Sequence, residues 1–161
     1  MKYQRFEQLP VWQAAIDLAV GTYEMTEAPE FRRRYSLRDQ IERAAVSVSN
    51  NVAEGFERGT TQELLTFLYI ARGSAGEVRS MLCLLETLAA FDPLKSEISD
   101  LKSQAEGVSR QLRAWADSLQ NSPITGQRYL NEKSQHATQA RAERDAFLRK
   151  LQRVREGKEQ A

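Results

Sequence analysis

Six polar residues between positions 40 and 58 fall on one narrow face of a predicted helix. At about 100° per residue they lie within about 80° of one another, and we call them the polar stripe: Gln40, Arg43, Ser47, Asn51, Glu54 and Arg58. Two amides, a hydroxyl and charges of both signs could form a structural hydrogen-bond network, a subunit contact or a ligand surface. We expect a structural network, in which Glu54 pairs with Arg43 or Arg58. We expect Ser47 and Asn51 to bond to the backbone of small residues or to Glu77 on the next helix.

Residue sets for catalysis or metal binding are missing from the sequence. The single His136 and the single Cys83 suit neither a zinc site nor a Cys–His catalytic pair, and no glycine-rich phosphate loop is present. Glu54 and Glu77 could form a carboxylate pair, but an ion pair with Arg43 or Arg58 is the simpler interpretation. We therefore expect no enzyme activity, no cofactor and no metal.

The composition is that of one helix-rich domain with its own core. Of 161 residues, 41% are hydrophobic and 28% charged, and the net charge of +1 is too small to indicate nucleic-acid binding by itself. That value combines about −3 over residues 1–120 with about +4 from Asn121 onward. No apolar run reaches the ~18 residues of a membrane span and the N-terminus does not resemble a signal peptide. With one cysteine, we expect a cytoplasmic protein without a membrane partner.

Apolar spacing of three and four residues predicts four helices and no strands. The first begins at Pro10 and ends near Thr26; its predicted core seam is Leu9, Trp12, Ile16, Ala19 and Tyr23. The others begin with caps at Ser36, Thr60 and Asp92, followed by Pro93 in the last case. Their predicted ends are near Arg58, Ala89 and Asn121.

Consecutive seams of this kind predict an all-α fold, an antiparallel up-down four-helix bundle over residues 1–120. The charged C-terminal extension, residues 121–161, is predicted to be an additional exposed helix. The alternative is a disordered basic tail.

The third helix carries more apolar residues than one core requires. Five of them adjoin its seam and are candidates for an oligomer interface: Phe67, Ile70, Met81, Leu84 and Leu88. The alternative is a helix buried at the centre of its own bundle. Gly73 to Gly76 form a run of small residues, which predicts that a neighbouring helix, in this or another subunit, crosses closely there.

Two groups of basic residues are candidates for binding nucleic acid. One is Arg32, Arg33, Arg34 and Arg38 at the entry of the second helix, and the other is Arg149, Lys150 and Arg153 in the extension. Copies in an oligomer would multiply such phosphate contacts. The alternative for the arginine triplet is a solvated loop.

Residues 40–58, QIERAAVSVSNNVAEGFER, resemble the signature of the four-helix-bundle family found in 23S rRNA intervening sequences, approximately QIxRAAVSIPxNIAEGFxR. Two further stretches are similar to that family: Phe6-x-x-Leu9-x-x-Trp12-x-x-Ala15, and residues 67–77. The resemblance covers about residues 4–120 in order and spacing. Ser49 stands where proline is common, and the family pattern does not include the extension.

This family includes the accessory variability determinant of diversity-generating retroelements. The resemblance implies a ring-shaped homopentamer and, for the retroelement branch, binding to RNA or DNA and to a reverse transcriptase through a basic surface. It implies no catalytic residue. Two functions follow: a non-catalytic nucleic-acid-binding scaffold, or alternatively a structural, protein-interaction ring without direct nucleic-acid binding.

Overall fold

The computed structural model describes residues 3–121 and, nearer the C-terminus, residues 140, 143–149 and 152–153. The chain divides into two compact units, residues 1–126 and 127–161. The described residues form helices and connecting segments with no strand, so the all-α prediction is confirmed. In the second unit the described residues are helical, and Phe147 and Leu148 are exposed there.

Four long helices make up the first unit: α1 (Pro10–Thr26), α2 (Tyr35–Glu57), α3 (Thr61–Thr87) and α4 (Lys95–Gln120). Three short 3-10 segments accompany them, at Phe6–Gln8, Pro29–Phe31 and Ala89–Leu94. Each long helix packs against the next one in sequence, and α4 also packs against α1. The number of helices in this unit therefore agrees with the four apolar seams.

The predicted helix starts are correct for α1 and α3, where the preceding residue has an extended backbone, and wrong for α2 and α4, where it does not. Thr60 caps α3 as predicted: its Oγ1 accepts from the backbone N–H of Glu63 at 3.2 Å and donates to the Glu63 carboxylate at 2.8 Å. The cap predicted at Ser36 is wrong, because α2 begins one residue earlier. The cap predicted at Asp92 is also wrong, because residues 89–94 continue as a 3-10 segment before α4.

One hydrophobic core joins all four helices of the first unit. The apolar spacing predicts core seams for α2, α3 and α4 as well, and these supply most of the core: Ile41, Ala44, Val48, Val52 and Gly55; Leu64, Leu68, Ala71, Ala75, Val78, Leu82 and Leu85; Ile98, Leu101, Ala105, Val108 and Leu112. Of the other predicted seam residues, Ala89 is exposed and Leu94 is half-buried. Leu37, Trp115 and Leu119 are half-buried at its edges.

The seam predicted for α1 is wrong in its rotation. Leu9 and Ala19 are buried, but Trp12 and Ile16 are only half-buried and Tyr23 is 43% exposed. The core instead receives Val11, Ala15, Leu18, Ala19, Thr22 and Met25. Since α1 is apolar around most of its circumference, a second set of residues with the same spacing was available, and packing against α2 and α4 selected it.

Candidate functional surfaces

The middle of the polar stripe connects α2 to α3. The Ser47 and Ser74 hydroxyls are 2.9 Å apart, and the Asn51 side-chain amide donates to the Ser47 carbonyl at 2.7 Å and to its hydroxyl at 3.0 Å. Gln40 donates its amide to the Glu77 carboxylate at 3.1 Å. Polar side chains of α2 do connect to α3, but not through the expected partners: Ser47 meets the Ser74 hydroxyl, Asn51 bonds within α2, and Gln40 is the partner of Glu77.

The charged members of the stripe form ion pairs within or beside α2. Arg43 pairs with Asp39 at 3.1 Å, and Arg58 pairs with Glu54 at 2.5 Å. The hydrogen bond to Glu54 raises the pKa of Arg58, and its guanidinium lies over the Phe67 ring, 5.2 Å from the centroid. Of the two partners expected for Glu54, Arg58 is the one observed, and these contacts stabilise packing at the end of α2.

We expect Ser47→Ala and Ser74→Ala each to lower the free energy of unfolding by about 1 kcal/mol, since each removes the half-buried bond between the two hydroxyls. Each also removes one hydrogen bond within a helix, from Asn51 to the Ser47 hydroxyl or from the Ser74 hydroxyl to the Ile70 carbonyl. The double variant should lose clearly less than the sum of the two, measured by chemical denaturation. Ser103→Ala is the matched control, because that exposed hydroxyl bonds only to Ser99 in its own helix. Strictly additive losses would contradict a bond between the two serines.

Two of the four arginines near the start of α2 make structural contacts, and the other two are exposed to solvent. Arg34 donates to the Glu30 carbonyl at 2.7 Å and lies over the Phe91 ring at 4.9 Å. Arg38 pairs with Glu42 at 2.7 Å, and Glu42 also accepts from the Thr26 hydroxyl. Arg32 and Arg33 are exposed and form no ion pair within the described part of the chain. Of the four arginines in this cluster, only Arg32 and Arg33 remain available for an external anion.

The basic candidates of the extension lie in the second unit. Arg149 and Arg153 are exposed, as a nucleic-acid contact would require. Lys150 lies outside the described residues.

The five interface candidates on α3 differ in burial. Met81 is in the core, and Phe67 and Leu88 are half-buried. Ile70 and Leu84 are each 46% exposed. Along the outward side of the same helix, a Cβ added at Gly73 or at Gly76 would meet nothing within 4 Å. The close helix crossing predicted at residues 73–76 is made by α2 at Ser74, whose hydroxyl is 2.9 Å from that of Ser47, whereas Gly73 and Gly76 face no neighbour within the described part of this chain.

Two clefts open beside α1 and α4. One, of about 520 Å³, lies between the end of α1 and the start of α4; its lining includes four acidic residues, Glu24, Glu27, Glu97 and Asp100, and the apolar Leu94 and Leu101. The other, of about 440 Å³, is lined by Tyr3, Leu9, Pro10, Val11, Gln111, Ala114 and Trp115.

The described residues offer no group of three or more His, Cys, Asp or Glu side chains that could hold a metal ion. Within the same residues, no helix is both long and apolar enough to span a bilayer. Cys83 is exposed on α3. The surfaces with functional potential are the outward side of α3, the outward side of α1, where Val20 and Tyr23 are exposed, and the exposed arginines before α2 and in the second unit.

Comparison with known proteins gives one family and one fold. The model of the 23S rRNA-intervening sequence protein family matches residues 7–114. No curated protein matches the chain. A crystal structure of a protein of unknown function from the S23 ribosomal protein family of Bacteroides thetaiotaomicron VPI-5482 is similar, with a TM-score of 0.59 and 17% sequence identity over 66% of this chain and 97% of that chain. At that identity the similarity establishes the fold alone.

Proposed function

This chain belongs to the family of 23S rRNA-intervening sequence proteins, and we propose that it is a non-catalytic scaffold whose copies associate into a homo-oligomer. Its building block is an antiparallel up-down four-helix bundle. Residues 58–60 alone connect α2 to α3, and residues 88–94, which include the 3-10 segment, connect α3 to α4. Such short links favour antiparallel neighbours, and the contact of α4 with α1 closes the arrangement.

The exposed apolar residues on the outward side of α3 are the main support for self-association. Ile70 and Leu84 are each 46% exposed on this helix, and Tyr69 is 44% exposed. Between them, Gly73 and Gly76 each cost a helix interior up to about 1 kcal/mol relative to alanine, and the space beside both is open. Glycines and exposed apolar side chains together suit a surface against which another helix packs closely. A second copy of the chain supplies such a helix.

The mass in solution tests this proposal. The family resemblance suggests a ring of five copies, and five copies of the 18.4 kDa chain would have a mass of about 92 kDa. Light scattering coupled to size exclusion, or native mass spectrometry, at micromolar concentration distinguishes the states. A monomer under these conditions would refute the scaffold; another closed oligomer would change only the number of copies.

Binding of RNA or DNA is a second candidate function, favoured by one observation. Arg32 and Arg33 are exposed and have no ion-pair partner in the described part of the chain, so each copy presents two guanidinium groups to phosphate. Repetition of this pair around an oligomer would add phosphate contacts and make binding strongly dependent on salt. In the retroelement branch of the family the further partner would be a reverse transcriptase.

We expect Arg32→Ala/Arg33→Ala to weaken binding to generic RNA and DNA and to reduce the slope of log affinity against log salt concentration. Each lost phosphate contact means that fewer counterions are released from the nucleic acid on binding. Fluorescence anisotropy across a salt series measures both quantities. Arg110→Ala/Arg113→Ala is the matched control, because these exposed arginines pair with Glu106 and Asp117 on α4. No binding by the wild type at low salt would refute this candidate and favour the protein-interaction ring.

A further inference from the structure

A row of bulky side chains lies on the outward side of α1. Val20 is 51% and Tyr23 43% exposed, and Trp12 and Ile16 are half-buried. At about 100° per residue these four side chains cover an arc of about 80°. We call them the α1 face.

Tyr69 and three small residues form a row on the outward side of α3. Tyr69, Gly73, Gly76 and Ser80 fall within about 60° of one another on that helix, and we call them the α3 face. Gly73 and Ser80 are exposed and Gly76 is half-buried. The α3 face is therefore a shallow groove in which a larger side chain fits.

The two faces belong to helices on opposite sides of the core. Both α1 and α3 pack against α2 and against α4, so α1 and α3 lie across the core from each other. A single chain cannot bring its own α1 face to its own α3 face. Two copies can.

Charges beside the two faces are opposite in sign and equal in spacing. Asp17 and Glu24 adjoin the α1 face, Arg72 and Arg79 adjoin the α3 face, and all four are exposed. Each pair is separated by seven residues, or about 10.5 Å along a helix. Ion pairs within the described part of the chain involve none of them.

The angular position of these charges fixes the direction in which the helices can pair. On α1 the acids lie about 90° from the centre of the face, in the direction in which the angle increases along the chain. On α3 the arginines lie about 80° from the centre of the face in the opposite direction. When two parallel helices face each other, offsets in opposite directions place the acids and the arginines on the same side of the contact. In an antiparallel pair they fall on opposite sides.

We propose that α1 of one copy packs in parallel against α3 of the next, with Asp17 beside Arg72 and Glu24 beside Arg79. In this register Val20 lies level with the space between Gly73 and Gly76, and Tyr23 with the space between Gly76 and Ser80. The inference rests on the proposed self-association and names the two surfaces that make it. Because the surfaces differ, every copy uses both, and the association continues until a ring closes.

Charge reversal tests the pairing. Asp17→Arg/Glu24→Arg and Arg72→Glu/Arg79→Glu should each be folded monomers, because every contact then joins like charges. Mixed in equal amounts, the two variants should associate, and the variant carrying all four substitutions should associate by itself, since opposite charges face each other again. Native mass spectrometry gives the masses and circular dichroism verifies the fold.

The outcomes separate this inference from the proposed function. A wild type that associates while both charge-reversal variants keep its mass would overturn the α1–α3 pairing and leave self-association intact. Reversal variants that are monomeric but do not associate when mixed would also overturn it. A monomeric wild type would refute the proposed function, and the pairing with it.

Filling the groove is an independent test of the same surface. Gly76→Leu adds a side chain where nothing lies within 4 Å in the single chain, so it should preserve the fold while lowering the oligomer mass to that of the monomer. Gly107→Leu on α4 is the matched control, because the space beside that glycine is also open. A Gly76→Leu variant with wild-type mass would overturn the proposed pairing.

Discussion

Phe91→Ala is expected to lower the free energy of unfolding by about 3–5 kcal/mol, the largest effect of any single substitution considered for this chain. Phe91 lies in the 3-10 segment between α3 and α4 and is fully buried. Its ring meets Phe31 edge to face at 4.9 Å, and Arg34 lies over it at 4.9 Å. Since Phe31 and Arg34 belong to the segment between α1 and α2, this aromatic contact joins the two connections.

Chemical denaturation monitored by circular dichroism measures the loss at Phe91. Tyr35→Ala is the matched control: it removes an aromatic ring that is 76% exposed and should change stability by no more than about 0.5 kcal/mol. Phe91→Leu should lose less than Phe91→Ala, and it keeps the test informative if the alanine variant does not fold. Equal stability of Phe91→Ala and Tyr35→Ala would contradict the role given to this contact.

Gly55→Ala is expected to destabilise the protein by about 1–3 kcal/mol, although alanine is the better helix former. A Cβ at position 55 would lie 2.7 Å from the Cβ of Phe67 and 3.2 Å from Cδ1 of Leu64. Because a Cβ is fixed to the backbone, no rotamer of Phe67 can relieve the overlap. The helices α2 and α3 would have to move apart, which would also strain the Ser47–Ser74 contact.

Gly107→Ala is the matched control for this substitution. It makes the same chemical change within α4, where an added Cβ meets nothing within 4 Å, so it should raise stability by up to about 1 kcal/mol. The two variants should therefore shift the denaturation midpoint in opposite directions. A stabilised Gly55→Ala variant would show that α2 and α3 can separate at this point without cost.

The helices themselves could be predicted because their signals are local. Pro10 marks the start of α1 and Thr60 caps α3, each through the conformation or hydrogen bonds of its own few residues. Ser36 and Asp92 carry the same kind of signal without becoming caps. At both places the preceding backbone already turns helically, since α2 begins at Tyr35 and a 3-10 segment contains Asp92.

The sequence identified which polar residues were candidates for a site, but it did not identify the residues with which they pair. The polar stripe was expected to connect to α3 because its position beside the α2 seam follows from spacing; Gln40 and Ser47 make that connection, whereas Asn51 bonds within α2. The pairing of Gln40 with Glu77, and of Ser47 with Ser74, depends on how far α2 slides along α3. For the same reason four arginines before α2 look equivalent in the sequence, whereas Arg34 and Arg38 are occupied by Phe91 and Glu42.

The sequence alone determined the number of helices, most of their ends and the core faces of α2, α3 and α4, since polar residues on each of those helices leave one direction for the core. Only the tertiary structure decided the rotation of α1, because that helix has apolar residues around most of its circumference and periodicity fixes angles within a helix, not its orientation against neighbours. That rotation places Val20 and Tyr23 outside the core. It thereby creates the surface that we expect to receive a second copy of the chain.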